Sequence, residues 1–324
     1  NYNLLNESGE FCGIPADERG CRHCLAVTKN IAADFSIRFW REQISSKLTA
    51  VDMFIFPSGA AFEVFNQVYE ANPHMIIGHG IADDEEKCPL QHSEHEVEGD
   101  YPKLDNLSVC FLGYPAPQKG KYLMEQAVPR LIDAGITVHF LGSRADDWPK
   151  EWKSFRNRVV FHGPYSRERV VDILRELSPH LVLLPSPWPE TFGYVLSEAM
   201  AAGIPVVVPP LGALAERVRR TGAGVIMDEV SPEALVKAVL SIRNDPHRYR
   251  SILRRAQGAR PRSISEMAKE YRDLYSGLIK RPGKTHLASP AAFQSHSTAN
   301  NKGFHTVTAG RMDTKEVPSS TTSM

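Results

Sequence analysis

The fold is decided by residues 189–205, Pro189-Glu190-Thr191-Phe192-Gly193-Tyr194-Val195-Leu196-Ser197-Glu198-Ala199-Met200-Ala201-Ala202-Gly203-Ile204-Pro205. An apolar run, 181–184, precedes this stretch and another, 204–208, follows it. Glycine ends helices because it tolerates positive φ. The pattern therefore predicts a strand, a loop, a helix that starts after Thr191 and stops at Gly203, and a second strand.

Two glutamates in this stretch, Glu190 and Glu198, are candidate ligand-binding residues. They are eight residues apart, just over two helical turns, so both are expected to point to the same side. Open α/β sheets bind ligands beyond the carboxyl ends of their strands, and Glu190 follows such a strand. Carboxylates only accept hydrogen bonds when ionised, so the pair suits a ligand with many hydroxyl groups.

The same alternation of short apolar runs and amphipathic stretches extends from residue 107 to residue 242. It predicts a doubly wound parallel sheet covered by helices. The predicted strands are 108–113, 137–141, 159–161, 181–184, 204–208 and 223–227, and the helices between or after them are 121–134, 166–177, 213–220 and 231–242.

The flanking regions define the predicted domain organisation. Residues 1–30 are predicted to be irregular, 31–49 a helix and 50–57 a strand, after which Ser58 caps a helix over 60–71. We predict an N-terminal region over 1–75, a doubly wound domain over 76–282 and a disordered tail over 283–324. The tail is rich in Ser, Thr, Ala and Asn and carries too few large apolar residues to form a core.

Composition restricts the class of partner. Lys plus Arg and Asp plus Glu both number 38, a balance that argues against a nucleic-acid partner. No apolar run approaches a membrane span and the start shows no signal peptide, so a cytoplasmic location is expected. Cys12, Cys21 and Cys24 lie close together, and the Cys-x-x-Cys spacing is one half of a zinc site. No fourth ligand is evident nearby, so a structural zinc ion and free thiols are both open interpretations.

The residues together suggest a family. The run from Leu183-Leu184-Pro185-Ser186 through 189–205 to Val207 resembles the signature of family 4 glycosyltransferases, also described as glycosyl transferases group 1. These are retaining enzymes of the GT-B fold, in which two Rossmann-like domains face each other. The resemblance covers roughly residues 50–280. It implies that residues 76–282 are the C-terminal, nucleotide-sugar-binding domain of a GT-B fold. Residues 1–75, with the cysteine cluster, would be only a remnant of the N-terminal, acceptor-side domain.

The resemblance implies a role for each matching residue. Lys119 would neutralise the diphosphate of a nucleotide-sugar donor, Glu198 would accept hydrogen bonds from the ribose, and Glu190 would act at the transferred sugar. The backbone N–H groups of Phe192, Gly193 and Tyr194 would hold that sugar at the helix start. Tyr114 stands where the family usually has an arginine, so more of the phosphate binding is expected of Lys119.

The implied function is transfer of a sugar from a UDP- or GDP-sugar to a glycan or lipid-linked acceptor in polysaccharide biosynthesis. No cofactor is required for this chemistry, and peripheral contact with the inner membrane face is included in the expectation. One alternative is a catalytically incomplete remnant that binds nucleotide sugars, because residues 1–75 match only the end of the family's N-terminal domain. A nucleotide-sugar epimerase of the same fold is a third interpretation, against which the glutamate motif argues.

Overall fold

The computed structural model describes residues 11–14, 18–29, 36–82, 104–155 and 157–279. The predicted tail over 283–324 and most of the acidic segment before residue 104 lie outside these residues. Within the described part of the chain, no helix has the length and apolar character needed to cross a membrane.

The larger sheet has six strands and all of its pairings are parallel. Its order is β5-β4-β3-β6-β7-β8, and the strands are β3 (Ser108–Leu112), β4 (Thr137–Leu141), β5 (Val159–Gly163), β6 (Leu181–Leu183), β7 (Val206–Val208) and β8 (Gly224–Ile226). The helices of this region are α4 (Lys121–Asp133), α5 (Val170–Leu177), α6 (Tyr194–Ala201), α7 (Gly212–Thr221), α8 (Pro232–Arg243), α9 (Pro246–Gly258) and α10 (Ile264–Ile279). The predicted α/β, doubly wound parallel sheet is confirmed.

Strand β3 shows why helices cover both faces. Its side chains alternate in direction, so Val109 and Phe111 enter one buried cluster while Cys110 and Leu112 enter the other. The first cluster includes apolar residues of α4, α8 and α9, and the second includes those of α5, α6 and α7. A strand that is apolar on both sides needs two covering layers, and the chain supplies them.

The N-terminal region has a smaller β-α-β unit. Strands β1 (Phe54–Phe56) and β2 (His74–Ile76) pair in parallel and are joined through α3 (Gly59–Asn66). Ahead of this unit lie α1 (Glu18–Lys29) and α2 (Ile37–Leu48). Ser58 is the N-cap of α3 and accepts a hydrogen bond from the Ala61 N–H, as the sequence predicted.

Several elements differ from the sequence prediction. Helix α3 ends at Asn66 and not at residue 71, and α5 begins at Val170 and not at residue 166. Two larger differences concern α1 and α6. Residues 18–29 form α1 although irregular structure was expected, because Leu25 is buried and α1 packs on α2, and such tertiary contacts outweigh weak helix propensity. Helix α6 begins at Tyr194 and not directly after Thr191. Its N-cap Gly193 has a φ of 75°, so the backbone becomes helical only beyond it. Glu190 therefore lies in the loop before α6, so the count of helical turns that placed both glutamates on the same side does not apply to this pair.

Candidate functional site

The order of the strands creates a crevice between β3 and β6. From β3 the chain continues outward to β4 and β5, and it then returns to the other side of β3 to form β6. The connections that follow β3 and β6 therefore lead to opposite sides of the sheet. Doubly wound sheets bind ligands in the crevice at the carboxyl ends of two such strands. Lys119 lies in the loop after β3, and Glu190 lies in the loop after β6.

The two loops are held against each other at the crevice. The Ser186 hydroxyl donates a hydrogen bond of 2.8 Å to the Gln118 carbonyl oxygen. Gly120 has a φ of 88°, and a Cβ atom at this position would lie 2.2 Å from the Pro185 carbonyl oxygen. Only glycine permits this approach of the two backbones. The relative position of the residues on either side of the crevice is thereby fixed.

Lys119 and Glu190 form an ion pair across the crevice. Lys119 Nζ lies 2.5 Å from Glu190 Oε1, and their side chains are 41% and 14% exposed. Ser186 Oγ lies 3.4 Å from the same carboxylate oxygen. The sequence predicted that both residues bind the donor, but it did not predict their direct contact. The pair places a cation and a mostly buried anion where a ligand could contact both.

Glu198 is a buried carboxylate with an unsatisfied oxygen. The residue is 7% exposed, and its Oε2 has no hydrogen-bond partner among the described residues. Burial raises the pKa of this carboxyl, and the charge of Arg167 partly opposes that shift. Buried acceptor atoms normally receive a hydrogen bond, so an oxygen that receives none fits a site whose ligand supplies hydroxyl donors.

Arg167 is a site residue that the sequence reasoning did not identify. It follows β5, at the same edge of the sheet as the two loops. Arg167 Nε lies 4.0 Å from Glu198 Oε1, and the guanidinium lies 4.5 Å from the centre of the Tyr194 ring. Tyr194 stacks in turn on His79, with ring centres 5.4 Å apart. In the sequence, the one indication that Arg167 belongs to the site was its position after a predicted strand of the sheet.

The start of α6 is held in place by a buried arginine of α7. Gly193 caps this helix without a side-chain hydrogen bond, and Phe192 precedes it with a buried side chain. Arg217 on α7 donates to the carbonyl oxygens of Phe192 and Gly193 at 3.2 Å and 3.1 Å. Its guanidinium also lies 4.3 Å from the centre of the Phe192 ring, and burial lowers the pKa of Arg217 to about 10. Arg217 is a second residue that the sequence did not reveal.

The three N-terminal cysteines line a cavity of about 560 Å³ beside α1, α2 and α3, and Pro189 and Thr191 of the loop before α6 line it too. Burial raises the pKa of the Cys21 thiol, although Arg41 donates to its sulfur at 3.6 Å and opposes that shift. Among the residues that the structure describes, no three His, Cys, Asp or Glu side chains are arranged to hold a metal ion. A zinc ion at Cys12, Cys21 and Cys24 stays a prediction.

The chain is similar to known sequences. Residues 106–245 match the family model described as Glycosyl transferases group 1. A phosphatidyl-myo-inositol mannosyltransferase of Mycobacterium leprae is 30% identical over 196 residues, which cover 58% of this chain and 51% of that protein. A glycogen synthase of Thermodesulfovibrio yellowstonii is 26% identical, over 70% of this chain and 46% of that protein. The chain thus spans about half the length of these curated relatives.

Solved structures share the fold. Sucrose-phosphate synthase from Thermosynechococcus elongatus aligns with a TM-score of 0.56 at 22% identity, over 79% of this chain and 66% of that one. Anabaena HepE, solved in complex with UDP and glucose, aligns with a TM-score of 0.56 at 20% identity, over 73% of this chain and 66% of that one. These similarities confirm the predicted resemblance to a GT-B fold.

Proposed function

From the match of residues 106–245 to the group 1 glycosyltransferase family, we propose that the protein transfers a sugar from a nucleoside-diphosphate sugar to a glycan or lipid-linked acceptor. The observation that carries the proposal is the buried Oε2 of Glu198, which has no hydrogen-bond partner in the part of the chain that the structure describes. Glu198 lies at the same sheet edge as the Lys119–Glu190 pair. HepE was solved with UDP-glucose, which supports a UDP-sugar as the first donor to test.

In this proposal each charged residue serves one part of the donor. Ribose hydroxyls donate to the Glu198 carboxylate, which compensates its desolvation. The ammonium of Lys119 moves from Glu190 to the diphosphate, and Glu190 is then free to accept hydrogen bonds from the sugar. The N–H groups of Phe192, Gly193 and Tyr194 bind sugar hydroxyls. The ion pair that Lys119 forms with Glu190 in the structure compensates the charge of this mostly buried carboxylate.

The proposed chemistry is substitution at the anomeric carbon with retention. An acceptor hydroxyl oxygen forms the new bond to that carbon, the bond to the diphosphate oxygen breaks, and the acceptor proton passes to the departing phosphate. Negative charge builds on the leaving group, so a cation aimed at it contributes most of the stabilisation. Glu190 orients the sugar in this scheme, and no cofactor is needed. A role in polysaccharide biosynthesis and contact with a membrane surface remain predictions.

A donor screen tests the proposal. UDP-glucose, GDP-mannose and their free nucleotides are added to the protein, and the melting temperature is followed, since ligands that bind only the folded state raise it. We expect at least one nucleotide sugar to raise the melting temperature of the protein, and the increase to be lost in Glu198→Gln. If none of them binds, the donor-site assignment is wrong. Incubation of the binding sugar with candidate glycan and lipid acceptors then tests transfer.

A further inference from the structure

The loop that carries Thr191, Phe192 and Gly193 is held through three consecutive carbonyl groups. The Ser58 hydroxyl donates 2.7 Å to the Thr191 carbonyl oxygen, and Arg217 donates to the next two. A trans peptide unit is planar, and its C=O and the following N–H point in opposite directions. Anchoring the carbonyls of residues 191–193 therefore directs the N–H groups of residues 192–194 away from Ser58 and Arg217.

Ser58 belongs to the N-terminal β-α-β unit, 133 residues before Thr191. Ser58 is 3% exposed, and its hydroxyl group makes two hydrogen bonds at once. The oxygen accepts the Ala61 N–H at 3.0 Å and so caps α3, while the hydroxyl hydrogen is donated to Thr191. The position of α3 and the orientation of the loop before α6 are therefore linked through one side chain.

Glu216 fixes the same end of α3 from the other side. Its carboxylate accepts the Gly59 N–H at 3.2 Å and the Ala60 N–H at 2.6 Å. A negative charge at a helix N-terminus is favourable, because the first N–H groups of a helix have no partner within it. Glu216 precedes Arg217 on α7, so adjacent residues of one helix hold α3 and the loop.

We propose that Ser58 and Glu216 are positioning residues that together form a latch between α3 and the loop at residues 191–193. The latch sets the direction of the loop N–H groups, and hence the sugar-binding half of the donor site. The ribose half depends on Glu198, which is held in α6 by helical hydrogen bonds and not by α3. The assignment of the sugar half rests on the proposed function. The linkage between α3 and the loop does not.

Hydrogen exchange tests the linkage without any ligand. Amide exchange of a peptide that covers residues 191–196 is compared between the wild type, Ser58→Ala and Glu216→Gln. Ser231→Ala is the matched control for the first variant, because Ser231 caps α8 in the same manner by accepting the Ala234 N–H. Asp245→Asn is the control for the second, because Asp245 accepts a backbone N–H at the start of α9.

We expect faster exchange at residues 191–196 in Ser58→Ala and Glu216→Gln, and wild-type exchange there in both controls. Unchanged exchange in the two latch variants would overturn the linkage. General acceleration across β3 to β8 would also contradict it, because that pattern indicates loss of fold stability and not release of one loop.

Ligand binding then separates the two halves of the site. Affinities for UDP and UDP-glucose are measured by titration calorimetry for the same four variants. In the latch variants we expect UDP affinity within about twofold of wild type, and a UDP-glucose affinity about fivefold lower, the size expected for one neutral hydrogen bond. An equal loss for both ligands, or no loss for UDP-glucose, would refute the positioning role. Failure of wild type to bind any nucleotide would instead contradict the proposed function, and the exchange result would still decide the linkage.

Discussion

Replacing Glu198 with glutamine is expected to weaken nucleotide binding and to stabilise the unliganded protein. Glutamine keeps the size of the side chain and one acceptor oxygen, but it removes the charge. A hydrogen bond to a charged group contributes roughly 1.5–3 kcal/mol, so we expect UDP affinity to fall by about 10-fold to 150-fold. We assign this loss of affinity to the hydrogen bonds from the ribose hydroxyls, because Oε2 has no hydrogen-bond partner among the described residues.

A comparison of UDP with 2′-deoxy-UDP by titration calorimetry locates the effect. Wild type should bind the deoxynucleotide more weakly than UDP, and Glu198→Gln should discriminate less between the two. Glu168→Gln is the control, since it removes the same charge from an exposed position next to Arg167. If Glu198→Gln binds UDP as wild type does, or if the discrimination is unchanged, the ribose assignment is wrong.

The stability of the same variant should depend on pH in a defined direction. Burial raises the pKa of Glu198 above its ordinary 4.5 in the folded protein. The folded state thus prefers the protonated acid, and the stability from this preference is present at low pH and lost as the pH rises through the folded pKa. Glutamine does not titrate. Glu198→Gln should therefore gain stability over wild type on going from pH 4 to pH 7, measured by urea denaturation. A gain that is largest at low pH would contradict this reasoning.

Three further substitutions test other parts of the molecule. Lys119→Met should lower the affinity for UDP about tenfold and leave the affinity for uridine unchanged, because the lysine cation is assigned to the diphosphate. If calorimetric titrations show equal losses of affinity for the two ligands, that assignment is wrong. Gly193→Ala should lower the free energy of unfolding, measured by urea denaturation, by about 1 kcal/mol more than Gly135→Ala does. Both glycines have positive φ, but only at Gly193 would a Cβ meet another atom, Leu214 Cδ2 at 2.4 Å, so equal costs would argue against this clash. His139→Gln should make the stability of the protein less sensitive to acid between pH 7.5 and pH 5. Burial and the charge of His162 lower the pKa of His139 to about 4 in the folded protein. The folded state thus disfavours the protonated histidine, and wild type loses stability as the pH falls below 6.5, where the histidine of the unfolded chain takes up a proton. Denaturation midpoints at the two pH values measure this, and an unchanged difference would contradict it.

The regular elements of the nucleotide-binding region could be predicted closely from the sequence. The predicted strand 137–141 is β4, and the predicted helix over 121–134 is α4 to within one residue. Short apolar runs between amphipathic helices leave few alternatives once both faces of a sheet must be covered. The prediction was wrong at α1, where burial of Leu25 against α2 decides the helix and the local sequence gives only a weak signal.

Within the site, the sequence could indicate residue types but not their contacts. Glu190 and Glu198 were singled out by the strand that precedes them, whereas Lys119 and the backbone groups of the loop before α6 were implied only by the family resemblance. Arg167 and Arg217 were missed, because an arginine in a loop or an amphipathic helix has many possible partners. The pairing of Lys119 with Glu190 could not be foreseen, since the two residues are 71 positions apart and belong to different loops.

The sequence by itself determined the alternation of strands and helices, the apolar character of both sheet faces and the motif that follows β6. These follow from local periodicity and from the need to bury apolar side chains. Only the tertiary structure decided which loops meet, because the order β5-β4-β3-β6 is a property of the assembled sheet. That order brings Lys119 to Glu190, while the packing of α3 on α7 places Ser58 at the Thr191 carbonyl. These contacts join distant segments, and no local pattern in the chain encodes them.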